Sequence, residues 1–166
     1  MIGPTIVSDS KPARIIAKMN SLVDEPGFEA LYAARKAGVI IDLIVRGICC
    51  LRPNVPKLSE NITVRSIVDR FLEHSRIFSF ENNVNPKVFA GSVDWKYRNF
   101  EKRIEVTFPI EDENIKRRII NEIFPVYLND NVKAHELQPD GTYAQLNPVG
   151  GERPIRSQTE FISTAK

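Results

Sequence analysis

Seven residues, VIIDLIV at positions 39–45, constrain the fold of this chain more than any other stretch. All but Asp42 are apolar, and most are β-branched. Such a run is too short for a membrane span and has no polar alternate positions, so it reads as a strand buried on both faces. A strand of that kind needs covering layers and a parallel neighbour. The preceding segments supply both. ARIIAKMN (13–20) reads as a strand. EPGFEALYAARKAG (25–38) reads as a helix, with Pro26 near its start, Phe28, Leu31 and Tyr32 at helical spacing, Lys and Arg late, and Gly38 as its stop. Strand, helix and strand with tight connections predict a βαβ unit with parallel strands.

The remaining segments extend this unit. RGICCLRPNVPKLSEN (46–61) is a loop dense in Pro and Asn, and ITVRSIV (62–68) is a further strand. RIFSFEN and KVFAGSV, separated by NVNP, predict a hairpin, and RIEVTFPI (103–110) predicts another alternating strand. EDENIKRRIINEIFPVYLND (111–130) predicts a second helix, with Ile115, Ile119, Ile120 and Ile123 on one stripe and a kink or stop at Pro125. VKAHELQPDGTYAQL reads as a hairpin around Pro-Asp-Gly. From Asn147 the chain is linker-like, with a short helix or frayed end. The expected class is α/β, with a mixed central sheet flanked by helices.

With 166 residues, 42% hydrophobic and 27% charged, the chain can bury one domain-sized core. The N-terminal residues lack a basic region followed by an apolar one, so no signal peptide is expected. Cys49 and Cys50 are adjacent and build neither a disulfide framework nor a zinc site, which favours a reducing, cytoplasmic location. The net charge of +2 conceals an asymmetry. Residues 1–108 carry 16 Lys and Arg against 12 Asp and Glu, whereas residues 109–166 carry 7 against 9. A local basic excess without a long Lys/Arg run suits a phosphate-rich ligand better than a membrane surface, although a solvated charged surface has the same composition.

Within the basic part, Arg46 directly follows the apolar strand. Ligands collect beyond the carboxyl ends of parallel strands, and an arginine there can grip a phosphate with two hydrogen bonds. A salt bridge to a loop acid is the other role open to it. Read as extended, EHSRIFSF places His74 and Arg76 on one face, side by side against one phosphate. The imidazole can attack phosphorus or donate a proton to a leaving oxygen, and Arg76 can bind the phosphate and stabilise its transition-state charge, although a lone histidine is more often a surface or core residue. Ser92, Asp94, Trp95, Arg98 and Asn99 gather at a strand end, where Arg98 and Asn99 could bind phosphate or cap the next element. His135 reads as structural, and Trp95 as core. No Walker-type phosphate loop and no His/Cys metal cluster is present.

AKMNSLVDE, ALYAARKAGVIIDLIVRGICCLRP, LSENITVRSIVDRFLEHSRIFSF, SVDWKYRNFEKRIEVTFPIED and NDNVKAHELQPDGTYAQL resemble the C-terminal part of bacterial polyphosphate kinase of the family-one type. The resemblance runs from about residue 17 to 146, leaving residues 1–16 as an extension and 147–166 as a tail. It implies the second of two phospholipase-D-like domains. It also implies reversible transfer of the terminal phosphate of ATP to polyphosphate through a phosphohistidine in the first domain, outside this chain. His74 then matches the second histidine, as general acid or phosphate ligand, and Arg46 matches an arginine on nucleotide phosphate. Arg76 stands where phospholipase D enzymes carry lysine, so the cation is kept.

The partners implied are ATP or ADP with magnesium, polyphosphate, and the rest of the kinase chain in a homo-oligomer, with no nucleic acid. The magnesium ligands are expected mostly outside this chain. Peripheral attachment to the inner membrane is a second option beside a free cytoplasmic location. The alternative function is a stand-alone phospholipase-D-like phosphodiesterase or nuclease that dimerises through facing His74 motifs. A non-catalytic oligomerisation or binding module is a third. The phosphate readings share one geometric expectation: Arg46, His74 and Arg76, each at or near a strand end beside a polar loop, converge on one pocket.

Overall fold

The computed structural model describes residues 13–81 and 85–165. The βαβ unit forms as its sequence predicts, from β1 (Arg14–Met19), α1 (Glu25–Lys36) and β2 (Ile40–Val45). The Asp24 carboxylate accepts the Gly27 amide at 3.0 Å and so starts α1. Gly38, at φ +89°, lets the chain turn out of the helix, a conformation that side-chain-bearing residues rarely adopt. β1 and β2 pair in parallel from Arg14 opposite Ile40 to Met19 opposite Val45.

Six more strands complete one sheet: β3 (Ile62–Ile67), β4 (Arg76–Phe80), β5 (Lys87–Gly91), β6 (Thr107–Pro109), β7 (Ala134–Leu137) and β8 (Tyr143–Gln145). Their order is β6-β5-β4-β1-β2-β3-β7-β8. β1, β2 and β3 are parallel and every other pairing is antiparallel, so the sheet is mixed as expected. The turn between β4 and β5 falls partly outside the described residues, as does most of the N-terminal extension. RIEVTFPI forms a strand over only three residues, Thr107–Pro109, and Ile104 and Val106 before it face solvent.

Alternation along the central strands builds two cores. Ile15, Ala17, Met19, Ile41, Leu43 and Val45 pack on one face with Leu31 of α1, Phe78 and Trp95. Ile16, Ile44, Ile67 and Val88 pack on the other with Ile119, Phe124 and Tyr127. This double burial is why VIIDLIV carries almost no polar positions. Its one acid, Asp42, is bound by Arg14 at 2.7 Å and by the Thr63 hydroxyl at 2.7 Å.

The second helical segment comprises α3 (Glu113–Arg118), a π turn (Ile119–Ile123) and α4 (Phe124–Leu128). Pro125 does not end it. The Phe124 amide reaches back five residues to the Ile119 carbonyl, and this wider turn accommodates a residue with no amide of its own. Of the expected isoleucine stripe, Ile119 is buried while Ile115 is exposed. The C-terminal residues form α5 (Ser157–Thr164), which packs Phe161 against Tyr127 with ring centroids 4.8 Å apart. The segment read as a tail is thus built into the domain.

Candidate functional site

The strand directions bring scattered residues to one end of the sheet. β1 and β2 deliver Asn20 and Arg46 at their carboxyl ends, and antiparallel β4 begins beside them at Arg76. The chain leaving β5 returns to the same end, where Trp95 bridges Leu22 and its carbonyl accepts the Val23 amide at 2.8 Å. Gly91 is required there, since a Cβ would lie 2.2 Å from the Val106 carbonyl oxygen of the strand beside it.

Asp94 is the structural centre of this end. Its Oδ1 accepts the Asn20 amide at 2.7 Å and the Ser21 amide at 3.3 Å. Arg76 donates to it through Nε at 3.2 Å and Nη2 at 2.9 Å. Both side chains are buried, Arg76 at 9% and Asp94 at 4% relative exposure. Burial pushes the Asp94 carboxyl up, but the Arg76 hydrogen bond and the two backbone amides more than reverse this and leave it below the usual carboxylate range. Arg76 also donates Nη1 to the His74 carbonyl at 2.8 Å. The strand begins at Arg76, so His74 lies just outside it. The two side chains differ from the shared strand face expected, because Asp94 draws the arginine inward while His74 stays exposed.

Lys18 lies under the same loop. It is the one charge in the buried half of β1, with its Nζ over the Tyr127 ring at 4.9 Å and 3.6 Å from the Glu73 carboxylate. It donates to the Ser75 hydroxyl at 3.0 Å. Burial lowers the Lys18 pKa, Glu73 opposes this, and Arg46 and Arg76 add to the lowering. Burial, reinforced by Glu73, pushes the Tyr127 hydroxyl up, so it stays protonated.

Of the two roles open to it from sequence, Arg46 does not take the salt bridge to a loop acid among the described residues. Its Nε and Nη2 both donate to the neutral Asn20 amide oxygen, at 2.9 and 2.5 Å. Among the described residues no carboxylate lies within salt-bridge distance of it, so its charge is positioned but not neutralised. His74 lies in the resulting field. Shallow desolvation and then the Arg76 charge lower its pKa, Asp94 pulls the other way, and Arg46 and Lys18 lower it further. Arg46, His74 and Arg76 therefore gather at one end of the sheet, but not in one pocket: the small cavity at Arg46 is lined by Lys18, Met19, Ile44, Ile67 and Glu73, and neither His74 nor Arg76 lines it. The arrangement can do two things chemically: attract an anion, and move a proton at an exposed imidazole.

The other sequence candidates diverge. Asn99, in α2 (Tyr97–Glu101), is buried and donates to Glu105 at 2.6 Å, so its amide is engaged in the fold. Arg98 in the same helix is exposed. His135 sits in β7 opposite Ser66, with its Nδ1 3.2 Å from the Lys133 carbonyl oxygen. Lys18, Asn20 and Glu73 were missed as site residues. A lysine inside RIIAKM was the available signal, since a buried strand carries a charge only where a partner waits.

A family model described as polyphosphate kinase C-terminal domain 2 matches residues 5–158, wider at both ends than the resemblance read from motifs. Polyphosphate kinase of Halalkalibacterium halodurans is 56% identical over 151 residues, which is 91% of this chain and 21% of that protein. That of Thermosynechococcus vestitus is 54% identical over 144 residues, 87% of this chain and 20% of that protein. The chain thus spans about a fifth of the length of these curated relatives. The crystal structure of polyphosphate kinase from Porphyromonas gingivalis matches with a TM-score of 0.87 and 42% identity, covering 92% of this chain and 23% of that one. Nuc of Salmonella typhimurium, a phospholipase D family member, matches with a TM-score of 0.57 and 19% identity, over 78% of this chain and 85% of that one. The second likeness shows a shared fold.

Proposed function

This chain belongs to the polyphosphate kinase family, as its C-terminal domain 2, and from that premise we propose that it supplies one wall of a phosphoryl-transfer site. The reaction is reversible transfer of the terminal phosphate of ATP to polyphosphate. The histidine that carries the phosphate between them lies on the part of the kinase outside this chain. The observation that carries the reading is His74, an exposed imidazole among the charges of Arg46, Arg76 and Lys18 at the carboxyl end of the parallel strands.

The charges assign the roles. Shallow desolvation and the charges of Arg76, Arg46 and Lys18 favour the neutral form of the His74 imidazole before substrate arrives. An incoming phosphate brings negative charge beside the ring and favours the imidazolium, which can then donate its proton to the oxygen that leaves phosphorus. Arg46, pinned by Asn20 and not neutralised, offers the rest of its guanidinium to a nucleotide or polyphosphate oxygen. Arg76 contributes its field and fixes the His74 backbone, with Asp94 absorbing its direct hydrogen bonds. Arg98 is exposed and free to reach a long polyanion, but it lies apart from the His74 cluster.

Magnesium belongs with the nucleotide in this scheme. Among the described residues no three His, Cys, Asp or Glu side chains are grouped to hold a metal, and Asp94 and Glu73 are engaged by Arg76 and Lys18. The residues here do not fit a metal site, and no step is assigned to the ion through them. Other proposed partners are the remainder of the kinase and further copies of it.

The test is His74→Ala in the full-length kinase. Loss of a positioned acid or base costs about 10²- to 10⁴-fold in rate, while removal of an exposed side chain should leave the melting temperature nearly unchanged. Wild-type turnover in a variant with intact folding overturns the assignment.

A further inference from the structure

Helix α5 holds the loop that carries His74 at three successive alternate positions. Arg156, the residue before its first turn, donates to both oxygens of Asp69 at 2.7 and 2.6 Å. Gln158 accepts the Phe71 amide at 2.9 Å and returns a hydrogen bond to the Phe71 carbonyl at 2.8 Å. The same amide nitrogen donates to Glu73 Oε1 at 2.9 Å. Glu73 faces Lys18, and Lys18 donates to Ser75. His74 stands between the last two residues of this series, with its carbonyl held from the opposite side by Arg76.

The anchor is rigid at its own base. Buried Asp130 accepts the Ser157 amide at 2.8 Å with one oxygen and the amides of Val132, Lys133 and Ala134 with the other. Gln158 itself is buried, and its side chain is a two-way amide clamp on a backbone that no strand holds. Backbone outside regular structure keeps one conformation only where something satisfies its polar groups. At Phe71 that something is Gln158.

We propose that Gln158 is a positioning residue for His74, which makes α5 part of the site and not a dispensable end. This rests on the reading of His74 as the group that moves a proton to or from phosphate. The clamp fixes Phe71 and Glu73, Glu73 orients Lys18, and Lys18 fixes Ser75, so the imidazole is set from both flanks of its own backbone.

The experiment uses Gln158→Met, which keeps the side-chain volume and removes all three hydrogen bonds, beside Gln158→Glu, which keeps the acceptor for the Phe71 amide and sets a second carboxylate against Glu73. In the full-length kinase, Gln158→Met should lower kcat about 10- to 100-fold, the scale of an ångström-sized misplacement, with KM for ATP close to wild type. Its kcat–pH profile should shift with the changed surroundings of His74, and Gln158→Glu should be at least as impaired. In the 166-residue chain, amide exchange of Phe71 should speed up while that of Leu43 and Val45 stays unchanged. A merely structural role predicts a lower melting temperature and less active enzyme with an unaltered pH profile, and that result overturns the proposal. So does wild-type kcat in Gln158→Met while His74→Ala is inactive. If His74→Ala is itself fully active, the reading of His74 fails first, and the exchange data still report whether Gln158 clamps the loop.

Discussion

Asp94→Ala should be among the most damaging single changes at this end of the sheet. The carboxylate accepts four hydrogen bonds, from Asn20, Ser21 and twice from Arg76. Its removal leaves the Arg76 guanidinium buried at 9% exposure with only the His74 carbonyl as partner. Breaking one side of a buried ion pair costs about 3–5 kcal/mol, because the remaining charge is desolvated without compensation. Asp94→Asn, which keeps the shape, should recover only the part due to the two backbone amides. Replacing Asp94 and Arg76 together with apolar residues of similar volume should recover more, since no lone charge is then buried. The assay is urea unfolding of the chain at neutral pH. The pH dependence has a definite sign. The folded carboxyl lies below its unfolded value of about 3.9, so the native state holds fewer protons in that range. Its stabilisation is complete above that value and fades as the pH falls through the lower folded pKa. The wild-type chain should therefore lose stability in acid more steeply than Asp94→Asn. An Asp94→Ala variant as stable as the wild type, or equal acid sensitivity in both proteins, would refute the reasoning.

Gly91→Ala should destabilise the chain by about 1–3 kcal/mol through overpacking. The new Cβ would meet the Val106 oxygen and Thr107 Cα, both backbone atoms with little room to yield, and an unchanged unfolding midpoint would show that β6 is free to move. The 166-residue chain incubated with ATP and magnesium should form neither polymer nor acid-labile phosphate on histidine, because it offers His74 and no second histidine in the recognised motif. Clear polymer formation would overturn the proposed division of roles between His74 and a second histidine outside this chain.

Local pattern carried the elements, and distance along the chain hid the site. VIIDLIV and the helix before it dictated a parallel βαβ unit, because a strand buried on both faces leaves a continuous apolar signature. Pro-Asp-Gly and Gly38 marked turns through backbone demands visible in single residues. The π turn left no such mark: Pro125 signalled disruption, whereas Phe124 and Tyr127 on either side of it are buried against the sheet and the helix runs on. Arg76 was legible as a cation beside His74, yet its partner lies 18 residues on, where β5 returns. Gln158 meets Phe71 across 87 residues, so a segment with weak local signals was set aside as a tail. Arg46 follows β2 directly, as its place after VIIDLIV implies, while its tie to Asn20 depended on the register of β1 against β2.

His74 and Arg46 are proposed to face one bound polyphosphate or nucleotide, and histidine ring NMR of the chain during titration with inorganic tripolyphosphate tests this most directly. The His74 resonances should shift and its pKa should rise as anion binds, His135 should stay unaffected, and added salt should weaken the effect as screening grows. In Arg46→Ala the shift of His74 should largely disappear. A His74 signal indifferent to tripolyphosphate at low salt, or one that responds equally with Arg46 removed, would contradict the account.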